Sequence, residues 1–107
     1  MWFFRNENEK KEIVLSENAV RLRYQFYGRV QGVGFRFTIA HLADSLGLTG
    51  WVENEEDGSV LAEIQGDYDQ INQCIRGLQK DSYIRIDHYD MKNVPIKKGE
   101  NRFDYRY

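Results

Sequence analysis

The sequence is short of cysteine, histidine and proline, and neither sign of charge dominates it. Its single cysteine, Cys74, cannot form a disulfide within the 107-residue chain. One thiol in a small domain fits a reducing compartment, so a cytoplasmic location is expected. The two histidines, His41 and His88, lie far apart in the sequence and offer no closely spaced ligand pair, so no metal or other cofactor is expected. Fifteen Lys and Arg face seventeen Asp and Glu, for a net charge of −2. A nucleic-acid-binding domain usually carries a clear basic excess, and that signature is missing. Only Arg21, Arg23, Arg29 and Arg36 form a local basic group along the sequence. No long hydrophobic run is present: the opening Met1-Trp2-Phe3-Phe4 meets Arg5 at once. That stretch is far too short for a signal peptide or a membrane span, so no membrane association is expected. Repeats and low-complexity segments are absent as well.

What remains is an ordinary globular balance, with 41% hydrophobic and 30% charged residues. The length suits one domain with one modest core. Residues 1–19 are expected to be a flexible N-terminal extension, and residues 20–107 the folded domain. Val20, Leu22, Tyr24 and Phe26 alternate with Arg21, Arg23, Gln25 and Tyr27, which predicts a half-buried strand with the two arginines on its outer face. Phe35, Ile39, Leu42, Ala43 and Leu46 recur at helical spacing and predict a helix over about 34 to 46, with Gly47 as its C-terminal cap.

A second strand is expected over Leu48 to Asn54, followed by an Asp57-Gly58 hairpin turn. Val60, Ala62 and Ile64 mark a third strand, which Gly66 is expected to break. Asp67 and Gln70 have the spacing of a capping box for a second helix. Tyr68, Ile71, Cys74, Ile75 and Leu78 mark the core face of that helix. A fourth strand holds Ile84 and Ile86. Pro95 falls in a loop, and Phe103, Tyr105 and Tyr107 alternate in a short last strand. The order β-α-β-β-α-β plus a terminal strand is that of a ferredoxin-like split βαβ sandwich, an α+β fold with an antiparallel sheet and two helices on one face. That fold serves enzymes, RNA binders and ligand sensors alike, so it decides no function.

The chemistry concentrates in Gly28-Arg29-Val30-Gln31-Gly32-Val33-Gly34-Phe35-Arg36, between the first strand and the first helix. A glycine-rich turn at a helix start can aim several backbone N–H groups at one anion, and an arginine there adds a forked cation. The same glycines also suit a turn with no ligand. Asn54, at the end of the second strand, reads equally as a turn residue, and spacing alone does not bring it to the first loop.

With Gly47-Leu48-Thr49-Gly50-Trp51-Val52-Glu53-Asn54 and Asp57-Gly58-Ser59-Val60 following in order, these segments resemble the acylphosphatase family. The resemblance covers about residues 20 to 107. It implies hydrolysis of the mixed anhydride of a carboxylic acid and phosphate, without a metal ion. The implied phosphate-binding residues are Arg29, Val30, Gln31, Gly32, Val33, Gly34 and Phe35. The implied catalytic residues are Arg36, on the phosphate, and Asn54, on the attacking water. The partners it implies are a small acyl phosphate and inorganic phosphate, with no nucleic acid, and the protein is expected to be a monomer. Two features depart from the family pattern: Gln79-Lys80-Asp81-Ser82 replaces a frequent Gly-Pro, and the N-terminal extension is long. The alternatives are a non-catalytic anion-binding or regulatory module and, more remotely, an RNA-binding domain. The latter rests on a faint likeness of Gln31 to Phe37 to an aromatic RNA-contact motif that belongs on the third strand.

Overall fold

A computed structural model describes residues 15–107. Residues 1–14, most of the expected N-terminal extension, lie outside the described residues. Seven elements follow in order: β1 (Ala19–Arg29), α1 (Phe35–Ser45), β2 (Thr49–Asn54), β3 (Val60–Asp67), α2 (Tyr68–Gln79), β4 (Arg85–Val94) and β5 (Phe103–Tyr105). The strands form one sheet in the order β4-β1-β3-β2-β5. The first four pair antiparallel, as the split βαβ order requires. β5 instead lies parallel to β2, which makes the sheet mixed.

Period-two alternation along β1 sends Leu22, Tyr24 and Phe26 into the core. They meet Val52 of β2, Val60, Ala62 and Ile64 of β3, Ile39 and Ala43 of α1, and Ile71, Cys74, Ile75 and Leu78 of α2 in one cluster. α1 ends in a Schellman motif, with Leu48 N–H donating to the Ala43 carbonyl (2.9 Å) and Gly47 N–H to that of Asp44 (3.2 Å). None of the helices among the described residues is long and apolar enough to cross a membrane.

The parallel placement of β5 has a consequence for the other face of the sheet. The chain leaves β4 at one edge and must reach β2 at the opposite one, so residues 95–102 cross the helix-free face. Arg21 and Gln65, paired across β1 and β3, point to that face and hold the crossing segment. Gln65 donates to the Lys97 carbonyl (3.0 Å) and accepts from its N–H (2.8 Å), as a neighbouring strand would. Arg21 grips Glu100 with both terminal nitrogens (2.8 and 3.1 Å) and Glu63 through Nε (2.7 Å). Arg21 therefore does sit on the outer face, yet it is only 3% exposed. Alternation predicts which face a residue takes and says nothing about a loop laid across it.

Four further expectations are corrected. Gly66 does not break β3; it lies within the strand opposite Val20, where a Cβ would come within 2.5 Å of Leu48. Asp67 occupies the N-cap position of α2 without capping it, because its carboxylate instead accepts from the Ser16 hydroxyl. Tyr68 is 49% exposed, since the first turn of α2 overhangs the core's edge. Tyr107 lies beyond β5 and is fully exposed.

Two expected outcomes follow from this packing. Arg21→Met leaves Glu100 without its cation and Glu63 with only Arg23, 3.7 Å away, and should cost about 3 kcal/mol, read as a lower urea midpoint at unchanged slope; an unchanged midpoint contradicts the clamp. Burial pushes the Cys74 thiol up to about 12, so a disulfide reagent should find no reactive thiol in the native protein and one per chain in urea. Rapid native labelling would mean that α2 does not hold its face against the sheet.

Candidate active site

β1 ends at Arg29, which is exposed and pairs with Arg85 of β4. Val30 then turns its side chain into the core and anchors the start of the loop. Phe35 does the same at the other end, packing on Phe26 with ring centroids 5.0 Å apart. Between these two anchors the backbone alternates in hand. Gly32 (φ 74°) and Gly34 (φ 79°) are left-handed, while among the described residues no non-glycine residue has positive φ. This alternation turns successive N–H groups to one side, the geometry of an anion-binding nest. A Cβ at either glycine would meet nothing within 4 Å, so the ground in front of the loop is open.

Among the described residues, no N–H from Val30 to Gly34 donates to a protein acceptor. The first N–H groups of α1 add to them, since a helix start leaves its donors without intrahelical partners. No acidic residue stands in the first turn of α1. Arg36 stands there instead, against the helix dipole, an arrangement that costs stability unless an anion arrives. Its Nη1 donates to the Arg106 carbonyl (2.7 Å). Its guanidinium lies over the rings of Tyr105 (4.7 Å) and Tyr107 (5.6 Å). Among the described residues it has no carboxylate partner, so its charge is held in position but not neutralised.

Sequence alone left the relation of Asn54 to this loop open. In the sheet, Asn54 pairs with Val60, and Val60 with Phe26, so the end of β2 and the end of β1 lie in one row across three strands. Asn54 shares the helix-side face with Val52, two residues before it. Its Oδ1 is buried without a hydrogen-bond partner; among the described residues only Thr49 Oγ1, at the other end of β2, shares that state. A buried acceptor left unpaired costs about 1–3 kcal/mol. The loop and the strand are also joined directly: Gln31 Nε2 donates to the carbonyls of Glu55 (2.7 Å) and Ser59 (2.8 Å).

Other polar and aromatic side chains take quieter places. Trp51 is packed rather than open, with the Arg106 guanidinium 4.2 Å above its ring, and Arg106 also pairs with Glu53 (3.2 Å). His88 stacks on Tyr27 and His41 on Phe37, far from any cluster of ligands. Glu55 to Gly58 form a turn in which Ser59 donates to the Asp57 carboxylate through N–H (2.9 Å) and hydroxyl (2.5 Å), holding that carboxyl below its usual range. Partial desolvation and a hydrogen bond with Glu53 push the neighbouring Glu55 carboxyl up. Among the described residues, no group of His, Cys, Asp or Glu gathers as a metal site. The role of the Tyr105 to Tyr107 segment beneath Arg36 went unseen in the sequence, because nothing in the spacing links residue 36 to residue 106.

Known proteins resemble this chain in sequence and fold. The acylphosphatase family model matches residues 22–105. An acylphosphatase of Clostridium perfringens is 40% identical over 85 residues, covering 78% of this chain and 96% of that protein. One from Picrophilus torridus is 44% identical over 68 residues, covering 63% and 84%. The crystal structure of acylphosphatase from Bacillus subtilis superposes with a TM-score of 0.75 at 28% identity, covering 82% of this chain and 99% of that one. A match across nearly the whole folded domain, at this identity and with this structural agreement, means that the chain belongs to the acylphosphatase family.

Proposed function

We propose that this protein hydrolyses acyl phosphates to a carboxylate and inorganic phosphate without a metal ion, using Arg36 and Asn54 as its catalytic side chains. The observation that carries this reading is a set of unpaired N–H donors at the start of α1 with the unpaired Asn54 Oδ1 on the neighbouring strand end.

The loop from Arg29 to Phe35 holds the phosphoryl group through its N–H donors, and Arg36 adds a fixed positive charge. These donors are aimed before substrate arrives, so little reorganisation is needed as charge shifts on the phosphoryl oxygens. Asn54 Oδ1 accepts a hydrogen bond from a water and points its oxygen at phosphorus. The phosphorus–oxygen bond to the acyl group breaks as a bond to the water oxygen forms. The acyl oxygen leaves as a carboxylate, a good leaving group that needs no acid. An amide is a poor base, so the water's proton passes to a phosphoryl oxygen of the substrate. Phosphoryl transfer of this kind depends mainly on positioning and electrostatic stabilisation. That is why a site without histidine, cysteine or a ligand cluster can turn over. The same reading has the protein act as a monomer, on a small molecule, in the cytoplasm.

The test is hydrolysis of benzoyl phosphate in the presence of EDTA, with circular dichroism to check folding. Wild type should turn over at the same rate with and without the chelator. Arg36→Gln and Asn54→Ala should each lose roughly a hundredfold or more in kcat while keeping native spectra. Full activity in Arg36→Gln overturns the assignment. Phosphate binding without any turnover would favour the non-catalytic anion-binding module.

A further inference from the structure

The two halves of the site belong to different elements, and something must hold them at a fixed separation. Gln31 lies at the middle of the loop, half-buried, with its side chain turned away from the open ground and toward the β2–β3 hairpin. A glutamine amide has two N–H hydrogens, and the two carbonyls it reaches, those of Glu55 and Ser59, use both. Glu55 directly follows Asn54. Those carbonyls are already part of the hairpin's own closure. Ser59 O accepts from Glu55 N–H (2.9 Å), and Glu55 O accepts from Gly58 N–H (3.2 Å). The hairpin is further stiffened by Asp57 on Ser59, and Gln25 Nε2 of β1 reaches Ser59 Oγ (3.0 Å). Gln31 therefore grips a rigid corner.

From these contacts we infer that Gln31 is a positioning residue, whose side-chain amide sets the distance between the phosphate loop and the strand end that carries Asn54. The inference rests on the proposed hydrolysis at this site. Its backbone N–H belongs to the cradle; its side chain serves the other half of the site. The sheet pairing fixes Asn54 relative to Phe26, but the loop leaves the sheet after Arg29 and has no ladder of its own. The two bonds from Gln31 tie the loop to β2 beyond that point. Losing them frees the loop to drift against the water-holding amide while its own N–H donors and Arg36 stay intact. A misplacement of about 1 Å between reacting groups can cost about a hundredfold in rate.

Gln31→Met keeps the bulk and the neutrality of the side chain and removes both donors; Gln31→Ala removes the bulk as well. Both are assayed with benzoyl phosphate, and with inorganic phosphate as competitive inhibitor. We expect kcat to fall about tenfold to a hundredfold in Gln31→Met, with the inhibition constant of phosphate within about twofold of wild type. In an Asn54→Ala background the Gln31→Met change should cost less than about twofold, because its effect runs through Asn54. Wild-type kcat in Gln31→Met overturns the inference. So does a parallel loss of phosphate affinity in both variants, which would make the side chain a support of the cradle alone. Effects that multiply in the double variant overturn it as well. An Asn54→Ala variant as active as wild type is a different failure: it removes the proposed function on which the inference rests.

Discussion

From Val30 to Gly34 the backbone N–H groups donate to no protein acceptor among the described residues, and the loop that carries them faces open ground. Their arrangement depends on the anchoring of Val30 and Phe35 in the core. With both ends of the loop fixed, the left-handed Gly32 and Gly34 impose the alternation that turns the intervening N–H groups the same way. The start of α1 then adds its own unpaired donors and a favourable dipole. Arg36 in that first turn is a cost to the isolated helix and an asset only beside an anion. The core, the loop and the charge are thus one device, and a fault in the packing of Phe35 on Phe26 would disturb the loop.

The rest of the fold serves to bring a second group to this device. β3 is the intermediary: it pairs with β1 on one side and β2 on the other, and so carries the row from Phe26 through Val60 to Asn54. β5 in turn requires the crossing segment over the helix-free face, clamped by Arg21 and Gln65. That crossing delivers Tyr105 and Arg106 to the edge where α1 begins, and there the Arg106 carbonyl and the Tyr105 ring hold the Arg36 side chain. A helix-free face with a buried arginine is therefore connected, through covalent chain and sheet register, to the posture of Arg36.

Much of this was legible in the sequence, for definable reasons. Strands β1 and β3 and both helices follow from their apolar periods, because core packing follows the same periods. Gly47 was legible as a cap because a Schellman ending has a local signature. The misreadings share a cause, which is tertiary context. Arg21 looks like a surface residue until residues 95–102 cover it. Asp67 has the spacing of a capping box, yet the Ser16 hydroxyl claims its carboxylate. Gly66 looks like a breaker, yet the close approach of Leu48 makes the absence of a side chain useful within the strand. In the site, the loop and its arginine could be read locally. Asn54 entered as a candidate only through family resemblance, and its place in one row with Phe26 needed the sheet register. The Gln31 bonds and the Arg106 carbonyl could not be read at all, since they join residues that no local pattern connects.

The central claim is that the loop between β1 and α1 binds phosphate through its own backbone. Titration of the nitrogen-15-labelled protein with inorganic phosphate, in EDTA, observes those N–H groups one by one. The account predicts saturable shifts concentrated on the amides of residues 31–36, with smaller changes at the Asn54 side-chain amide and little elsewhere. Shifts absent from the loop, or centred on another surface, would contradict it.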